Sequence, residues 1–274
     1  MIKHLNVECK EEIITLASSI VYGNRVEWCG ACYRPLELSL LRSRRFFYYD
    51  KKEVLPLIVF FCGGGFTEVN PNVWTPELTW YAKHGYAVAS VYYSVTARTR
   101  FPMQLEDAKL AIRYLRAHAD EFGIDPDRII VMGESAGGYM CSLVGLTGKM
   151  RQYDVGEYQE YSSEVQGVVT FYPVTDCGSF FKAQDVSPDL PDADKYLVLP
   201  ELVDESTPPF MLLHGTKDSQ VSLDQSQALY DALDKQGIRS EFLIFEGAEH
   251  ADAPFYQPEV KQMILDFMDS VINK

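Results

Sequence analysis

Long apolar runs are missing from this sequence. No stretch of its 274 residues approaches the ~20 consecutive apolar residues that a membrane-spanning helix needs. Basic residues are scarce beside acidic ones, with 25 Lys and Arg against 39 Asp and Glu and a net charge of −14. Such a surface repels phosphate backbones and anionic bilayers, so neither nucleic acid nor a membrane is expected as a partner. Glu8, Lys10, Glu11 and Glu12 interrupt any apolar core near the N-terminus. A secretory signal is therefore not expected, and cytoplasmic placement is the default. Of the 6 cysteines, only Cys29 and Cys32 form a C-x-x-C, and no second pair or closely spaced histidine follows. That spacing gives no zinc site, and Cys9, Cys62, Cys141 and Cys177 read as unpaired thiols. Repeats, low-complexity tracts and a linker between domains are also absent.

What remains is a folded-protein composition, 47% hydrophobic and 13% aromatic, in a length that suits one α/β domain spanning 1–274. The N-terminal 50 residues are the hardest to read. Residues 11–22 have helix-like apolar spacing at Ile14, Leu16, Ile20 and Val21, while residues 36–41 and 45–49 look like an antiparallel edge hairpin turning at Arg42, Arg44 and Arg45. From residue 57 onward the pattern is clearer. The continuous apolar run at 57–61 reads as a strand covered on both faces, 86–92 as another buried strand, and 129–132, 165–171, 210–213 and 241–245 as further strands. Helical periods separate them at 73–84, 102–122, 139–146, 223–236 and 258–272, and Asp125-Pro126-Asp127 reads as a turn. Strands alternating with helices imply a mostly parallel, twisted central sheet with helices on both faces. Residues 173–207 break this rhythm with Pro188, Pro191 and Pro200 and many acids, and could form a lid or insertion over a site.

The most informative stretch is Gly133-Glu134-Ser135-Ala136-Gly137, a G-x-S-x-G between a strand and a helix. A turn that sharp strains the serine backbone and needs small flanking residues, and it presents the hydroxyl at the carboxyl end of the sheet. A serine hydroxyl near neutral pH needs a base, and the base needs an anion to fix its tautomer. Of the 5 histidines, only His250 is both downstream and on a loop after a strand. His214, at a strand end, is the alternative base or else a residue stabilising the turn at Gly215. Asp218 occupies the loop after the preceding strand and is the expected acid. Asp224 reads as a helix-start residue, Asp252 is too close to His250 to orient it, and Asp176 is a distant alternative. The run Cys62-Gly63-Gly64-Gly65 lets backbone N–H groups approach a substrate carbonyl without a Cβ in the way. Gly64, Gly65 and Ala136 are the expected oxyanion donors. Phe66, Tyr93, Glu134 and Tyr139 are expected around the substrate pocket. No cofactor or metal is required by this chemistry.

These residues resemble the α/β-hydrolase superfamily, and more closely the H-G-G-G-type esterase/lipase group, which includes bacterial carboxylesterases, feruloyl- and acetyl-xylan-esterase-like enzymes and kynurenine formamidase-like enzymes. The similarity covers about residues 55–272. Phe61-Cys62-Gly63-Gly64-Gly65-Phe66, Phe101-Pro102-Met103-Gln104-Leu105-Glu106-Asp107, Gly123-Ile124-Asp125-Pro126-Asp127-Arg128 and Gly133–Gly138 carry it, with Pro208-Pro209-Phe210, His214-Gly215-Thr216-Lys217-Asp218 and Gly247-Ala248-Glu249-His250. The resemblance implies the α/β-hydrolase fold, a Ser135–Asp218–His250 triad and hydrolysis of short-chain esters, acetylated or feruloylated carbohydrate among them. The group's histidine before the glycines is Cys62 here, and its usual Tyr-Arg is Tyr93-Ser94. An amide hydrolase of the formamidase or small-peptidase type is the alternative, and a non-catalytic binding protein on the same fold a further one. A homodimer is left open.

Overall fold

The computed structural model describes residues 1–8, 10–27, 30, 32–43, 54–95, 101–183 and 198–273, with the side chains of 27 and 181–183 left aside. The 8-stranded sheet has the order β1-β2-β4-β3-β5-β6-β7-β8. Its strands are β1 (Ile14–Glu27), β2 (Cys32–Ser43), β3 (Leu55–Phe61), β4 (Ala87–Val91), β5 (Ile124–Glu134), β6 (Gly167–Phe171), β7 (Phe210–Gly215) and β8 (Ser240–Phe245). β1 and β2 pair antiparallel, β2 meets β4 antiparallel, and β4, β3 and β5 to β8 run parallel. The sheet is thus mostly parallel with an antiparallel N-terminal pair, as expected.

Alternate side chains of each central strand enter different cores. Leu57, Val59 and Phe61 of β3 join Leu105, Ala108 and Ile112 of α2 (Met103–Ala117) and Leu143 and Val144 of α4 (Ala136–Leu146). Ile58 and Phe60 face the other way, toward Leu78 and Tyr81 of α1 (Thr75–Lys83) and Ile264 and Met268 of α7 (Pro258–Ile272). A strand residue buried on either face must be apolar, which is why these runs show no alternation in sequence. α6 (Leu223–Lys235) starts at Ser222, whose side chain accepts from the N–H of Asp224.

Several elements differ from the sequence reading. Residues 11–22 hold no helix: β1 begins at Ile14 and is 14 residues long. Ala17 pairs with Leu40 and Ile20 with Leu38, so a bulge around Ser18 and Ser19 adds a residue to β1 and breaks its alternation. The resulting apolar spacing imitates a helical face. The edge hairpin is therefore β1 with β2, neither of them short, and Arg42 lies within β2 with its guanidinium donating to the carbonyl of Phe122. The strand expected at 45–49, with Arg44 and Arg45, lies outside the described residues, as do Cys9, Cys29, Pro188 and Pro191. The helix expected over 102–122 is broken at His118 into α2 and a short α3 (Ala119–Phe122). Asp125–Asp127 falls within β5, where Leu55 pairs with Ile124 but Leu57 with Ile129. The described parts of 173–207 contain α5 (Cys177–Ala183) and a 3₁₀ turn, Leu199–Leu202. Among the described residues, no helix is long and apolar enough to cross a membrane.

This topology fixes where ligands can bind. From β3 the chain first builds β4 on one side, then returns to place β5 on the other. The carboxyl ends of β3 and β5 are thus the switch point, where a crevice opens between diverging connections.

Candidate active site

Ser135 follows β5 at that switch point with φ 56° and ψ −122°. This region is nearly closed to L-residues, and holding a non-glycine there costs about 1–3 kcal/mol. The surroundings impose it. A Cβ on Gly133 would lie 2.2 Å from the carbonyl of Gly137, and one on Gly137 would lie 2.0 Å from the carbonyl of Phe61. The Ser135 N–H donates to Phe171 O at 3.0 Å, tying the turn to β6.

The loop after β8 must reach back across β7 and β6 to meet this serine, about 14 Å at ~4.8 Å per strand. It does so by lying on Gly215. Lys217 N donates to Ala248 O at 3.0 Å, and a Cβ on Gly215 would lie 2.2 Å from that same carbonyl oxygen. Asp252 caps the loop by accepting from Ala253 N at 2.7 Å. His250 Nε2 then stands 3.0 Å from Ser135 Oγ, and its Nδ1 stands 2.7 Å from Asp218 Oδ2. The carboxylate accepts from the Nδ1–H and keeps the proton on that nitrogen, so the Nε2 lone pair faces the serine hydroxyl.

Asp218 is completely buried as a side chain. Its Oδ1 accepts from Gln220 N at 2.9 Å and Val221 N at 2.8 Å, while His214 Nε2 approaches Oδ2 at 3.3 Å. Burial opposes its charge, but the hydrogen bonds from His214, His250 and the Val221 N–H outweigh that and hold the carboxyl well below the usual carboxylate range. His214 is itself buried, donating from Nε2 to Val221 O at 2.9 Å and accepting at Nδ1 from the Ser226 hydroxyl at 2.7 Å. It is neither the base nor a mere brace for Gly215, because it touches the acid of the constellation. Its place inside an apolar strand, four residues before Asp218, is the only sequence signal of that contact.

The glycine loop after β3 lies beside the serine. Gly64 has φ 142° and Gly65 φ 58°, and a Cβ on Gly64 would lie 1.9 Å from Glu68 O. Gly64 O accepts from Thr67 N and Glu68 N at 3.1 Å, turning the loop back on itself. Among the described residues no backbone carbonyl outside the loop takes the N–H of Gly64 or Gly65. Ala136 is the first residue of α4, so its N–H has no partner within the helix.

Of the four residues expected to line the substrate pocket, Glu134 borders a narrow cleft with Trp74, Phe171 and Tyr256, while Phe66, Tyr93 and Tyr139 line neither that cleft nor the larger cavity beside the glycine loop. Phe66, Tyr93, Glu134 and Tyr139 are at most 6% exposed. Phe66 packs edge-on against Tyr139 at 5.7 Å, and the Tyr93 hydroxyl donates to Cys62 O at 2.7 Å. None of the four is on the wall of the open cavity of about 420 Å³ next to the loop, where Cys62, Gly63, Gly64, Thr67, Asn70 and Tyr92 are. Cys62 is buried, and burial with the nearby Glu134 charge pushes its thiol up to about 12. A thiol in that state is not a nucleophile. Aromatic residues unmarked by any motif lie on the other side, away from that cavity: Trp74 stacks on Tyr256 at 4.6 Å, Tyr256 shares a hydroxyl–hydroxyl bond with the buried Tyr172, and Tyr172 packs 4.5 Å from the His250 ring. Among the described residues no group of His, Cys, Asp and Glu is arranged to hold a metal ion.

The BD-FAE family model matches residues 47–233. The probable carboxylic ester hydrolase LipM of Mycobacterium tuberculosis is 30% identical over 202 residues, covering 67% of this chain and 46% of LipM. The chain spans about half to two thirds of the length of the curated relatives it matches. Among solved structures, a truncated carbohydrate esterase from gut microbiota superposes with a TM-score of 0.78 at 22% identity, covering 95% of this chain and 97% of that one. At that identity the likeness concerns the fold. An acetyl ester-xyloside bifunctional hydrolase from Caldicellulosiruptor lactoaceticus superposes with a TM-score of 0.72 at 28% identity, covering 87% of this chain and 89% of that one.

Proposed function

The chain belongs to the BD-FAE family of α/β-hydrolase-type esterases, and from that premise we propose that it is a serine carboxylesterase acting on short acyl esters, including those carried by carbohydrate. Ser135 attacks the ester carbonyl while His250 Nε2 takes its proton. The imidazolium formed is stabilised by Asp218, which already accepts from Nδ1 at 2.7 Å. The carbonyl oxygen becomes an oxyanion facing the N–H groups of Gly64, Gly65 and Ala136, each lowering the barrier by on the order of 3–4 kcal/mol when placed correctly. His250 then protonates the leaving alcohol. Water enters and gives its proton to the same nitrogen as it attacks the acyl carbon; the bond to Ser135 Oγ then breaks, His250 returns the proton to that oxygen, and the acid leaves.

One observation carries this reading: Ser135 Oγ, His250 and Asp218 form an unbroken hydrogen-bonded chain of 3.0 and 2.7 Å at the crevice. A binding protein on the same fold would need neither the strained serine nor the anchored acid. The carbohydrate part rests on the solved acetyl ester-xyloside hydrolase. The decisive measurement is turnover of p-nitrophenyl acetate by the native chain and by Ser135→Ala, with a loss of about 10⁴-fold or more expected. Equal rates would end the proposal. A panel of acetyl-xyloside, feruloyl-sugar and butyryl esters, with an aryl formamide beside them, then ranks substrates by kcat/KM. A formamide hydrolysed faster than every ester would move the assignment to an amidase.

A further inference from the structure

The buried carboxylate of Glu134 takes no part in the steps above, yet it adjoins both halves of the site. β3 and β5 pair as far as Phe61 with Gly133. One residue further, the backbone of β5 turns away, because the N–H of Ser135 goes to β6. The Gly63 N–H is left without a strand carbonyl, and Glu134 Oε1 accepts it. The side chain thus adds a last rung to the ladder between the nucleophile strand and the glycine loop. The same Oε1 accepts from Trp74 Nε1 at 3.0 Å, and the Cys62 thiol also donates to the carboxyl group. The approach is so close that a Cβ on Gly63 would stand 2.7 Å from both carboxyl oxygens. Glycine at 63 is therefore dictated by Glu134, a different reason from that for Gly64.

We propose that Glu134 is a positioning residue: by accepting from Gly63 and Trp74 it sets the peptide plane before Gly64, so that the Gly64 and Gly65 N–H groups keep their place beside Ser135. This rests on the esterase reading for its catalytic consequence, but not for the loop geometry. The acceptor oxygen carries the role, and the negative charge is incidental to it. Indeed a charge this close to a developing oxyanion opposes the reaction, and burial alone already pushes the Glu134 carboxyl upward. Trp74 is itself held by its stack on Tyr256, which borders the same narrow cleft as Glu134.

The test compares Glu134→Ala, Glu134→Gln and Trp74→Phe by ester kinetics and by amide hydrogen exchange at Gly63–Gly65. Removing the acceptor in E134A is expected to lower kcat about 10²-fold with KM changed less than about threefold, since a misplaced donor is lost chiefly in the transition state. E134Q, which keeps an acceptor oxygen, should recover the rate to within about fivefold of native. W74F should lose a few-fold. Gly63 and Gly64 amides should exchange faster in E134A and not in E134Q. Native kcat in E134A would overturn the proposal. So would equal loss in E134A and E134Q with unchanged glycine exchange, which would mean that the charge acts. If E134A does not fold, E134Q and W74F decide: exchange and kcat unmoved in W74F, with E134Q as slow as a charge deletion, overturns it. If no ester is turned over by the native chain, the esterase reading fails separately, and the exchange data still judge the brace.

Discussion

Two buried carboxylates serve this site, and their surroundings have opposite effects. Asp218 sits among N–H donors on both oxygens, including two histidines, and its charge is stabilised below the ordinary range. Glu134 lies deeper in the protein, its bonds from Gly63, Trp74 and Cys62 do not offset desolvation, and its carboxyl is pushed above the ordinary range. Burial alone therefore says little about role. An acid that must face an imidazolium is surrounded by donors on each oxygen, whereas one that only aligns backbone can tolerate a weaker set.

The contrast can be broken from the Asp218 side most strongly. Asp218→Asn keeps the shape but offers Nδ1 of His250 the wrong partner, and kcat for p-nitrophenyl acetate should fall about 10⁴-fold. A loss below tenfold would show that the acid is elsewhere. Next in size is Gly215→Ala, which pushes the His250 loop off β7 without touching Glu134. The contact at 2.2 Å is with backbone, so stability should drop by roughly 2–3 kcal/mol, read as a lower Tm, together with most activity. His214→Phe removes the long hydrogen bond to Asp218, and kcat/KM should fall about tenfold, equivalent to ~1.4 kcal/mol. An unchanged value would leave His214 as core filling.

The smallest effect sharpens the comparison through its sign. The Asp218 pKa is lowered on folding, so its stabilisation is present above the unfolded value of about 3.9 and is lost as pH falls below it. The Glu134 pKa is raised, so folding favours its protonated form, and stability is lost as pH rises from about 4.5 toward the folded value. Thermal melts between pH 3 and 7 should show native falling behind E134Q as pH increases above about 4.5, and D218N falling behind native only between pH 3 and about 5, with a constant gap above that. Parallel curves for the two variants would remove the distinction.

Much of this was open to reading in the chain itself. The central strands show as apolar runs because both faces are covered, the edge strand Ser240–Phe245 being partly exposed, and Ser135, Asp218 and His250 are separable from their rivals by chain order and by lying after strands. What escapes the sequence is what depends on neighbours in space. The bulge in β1 is set by pairing with β2, so the Ile14–Val21 spacing reads as helical. Glu134 and His214 look like a variable motif position and a strand end, since nothing local places Gly63 or Asp218 against them. The aromatic residues expected to meet substrate are instead buried supports, because a large ring beside a glycine loop is equally suited to either face.

The twist in the backbone at Ser135 has a consequence for how such a protein could change over generations. Glycine would adopt φ 56° and ψ −122° freely, and relief of ~1–3 kcal/mol exceeds the ~0.5–1 kcal/mol that its extra chain freedom costs. Ser135→Gly should thus yield an inert protein that melts at or above the native temperature. The proposed chemistry thus runs against a downhill slope in folding, and a descendant released from selection for it would find an ordinary point mutation already leading to a sturdier, silent form.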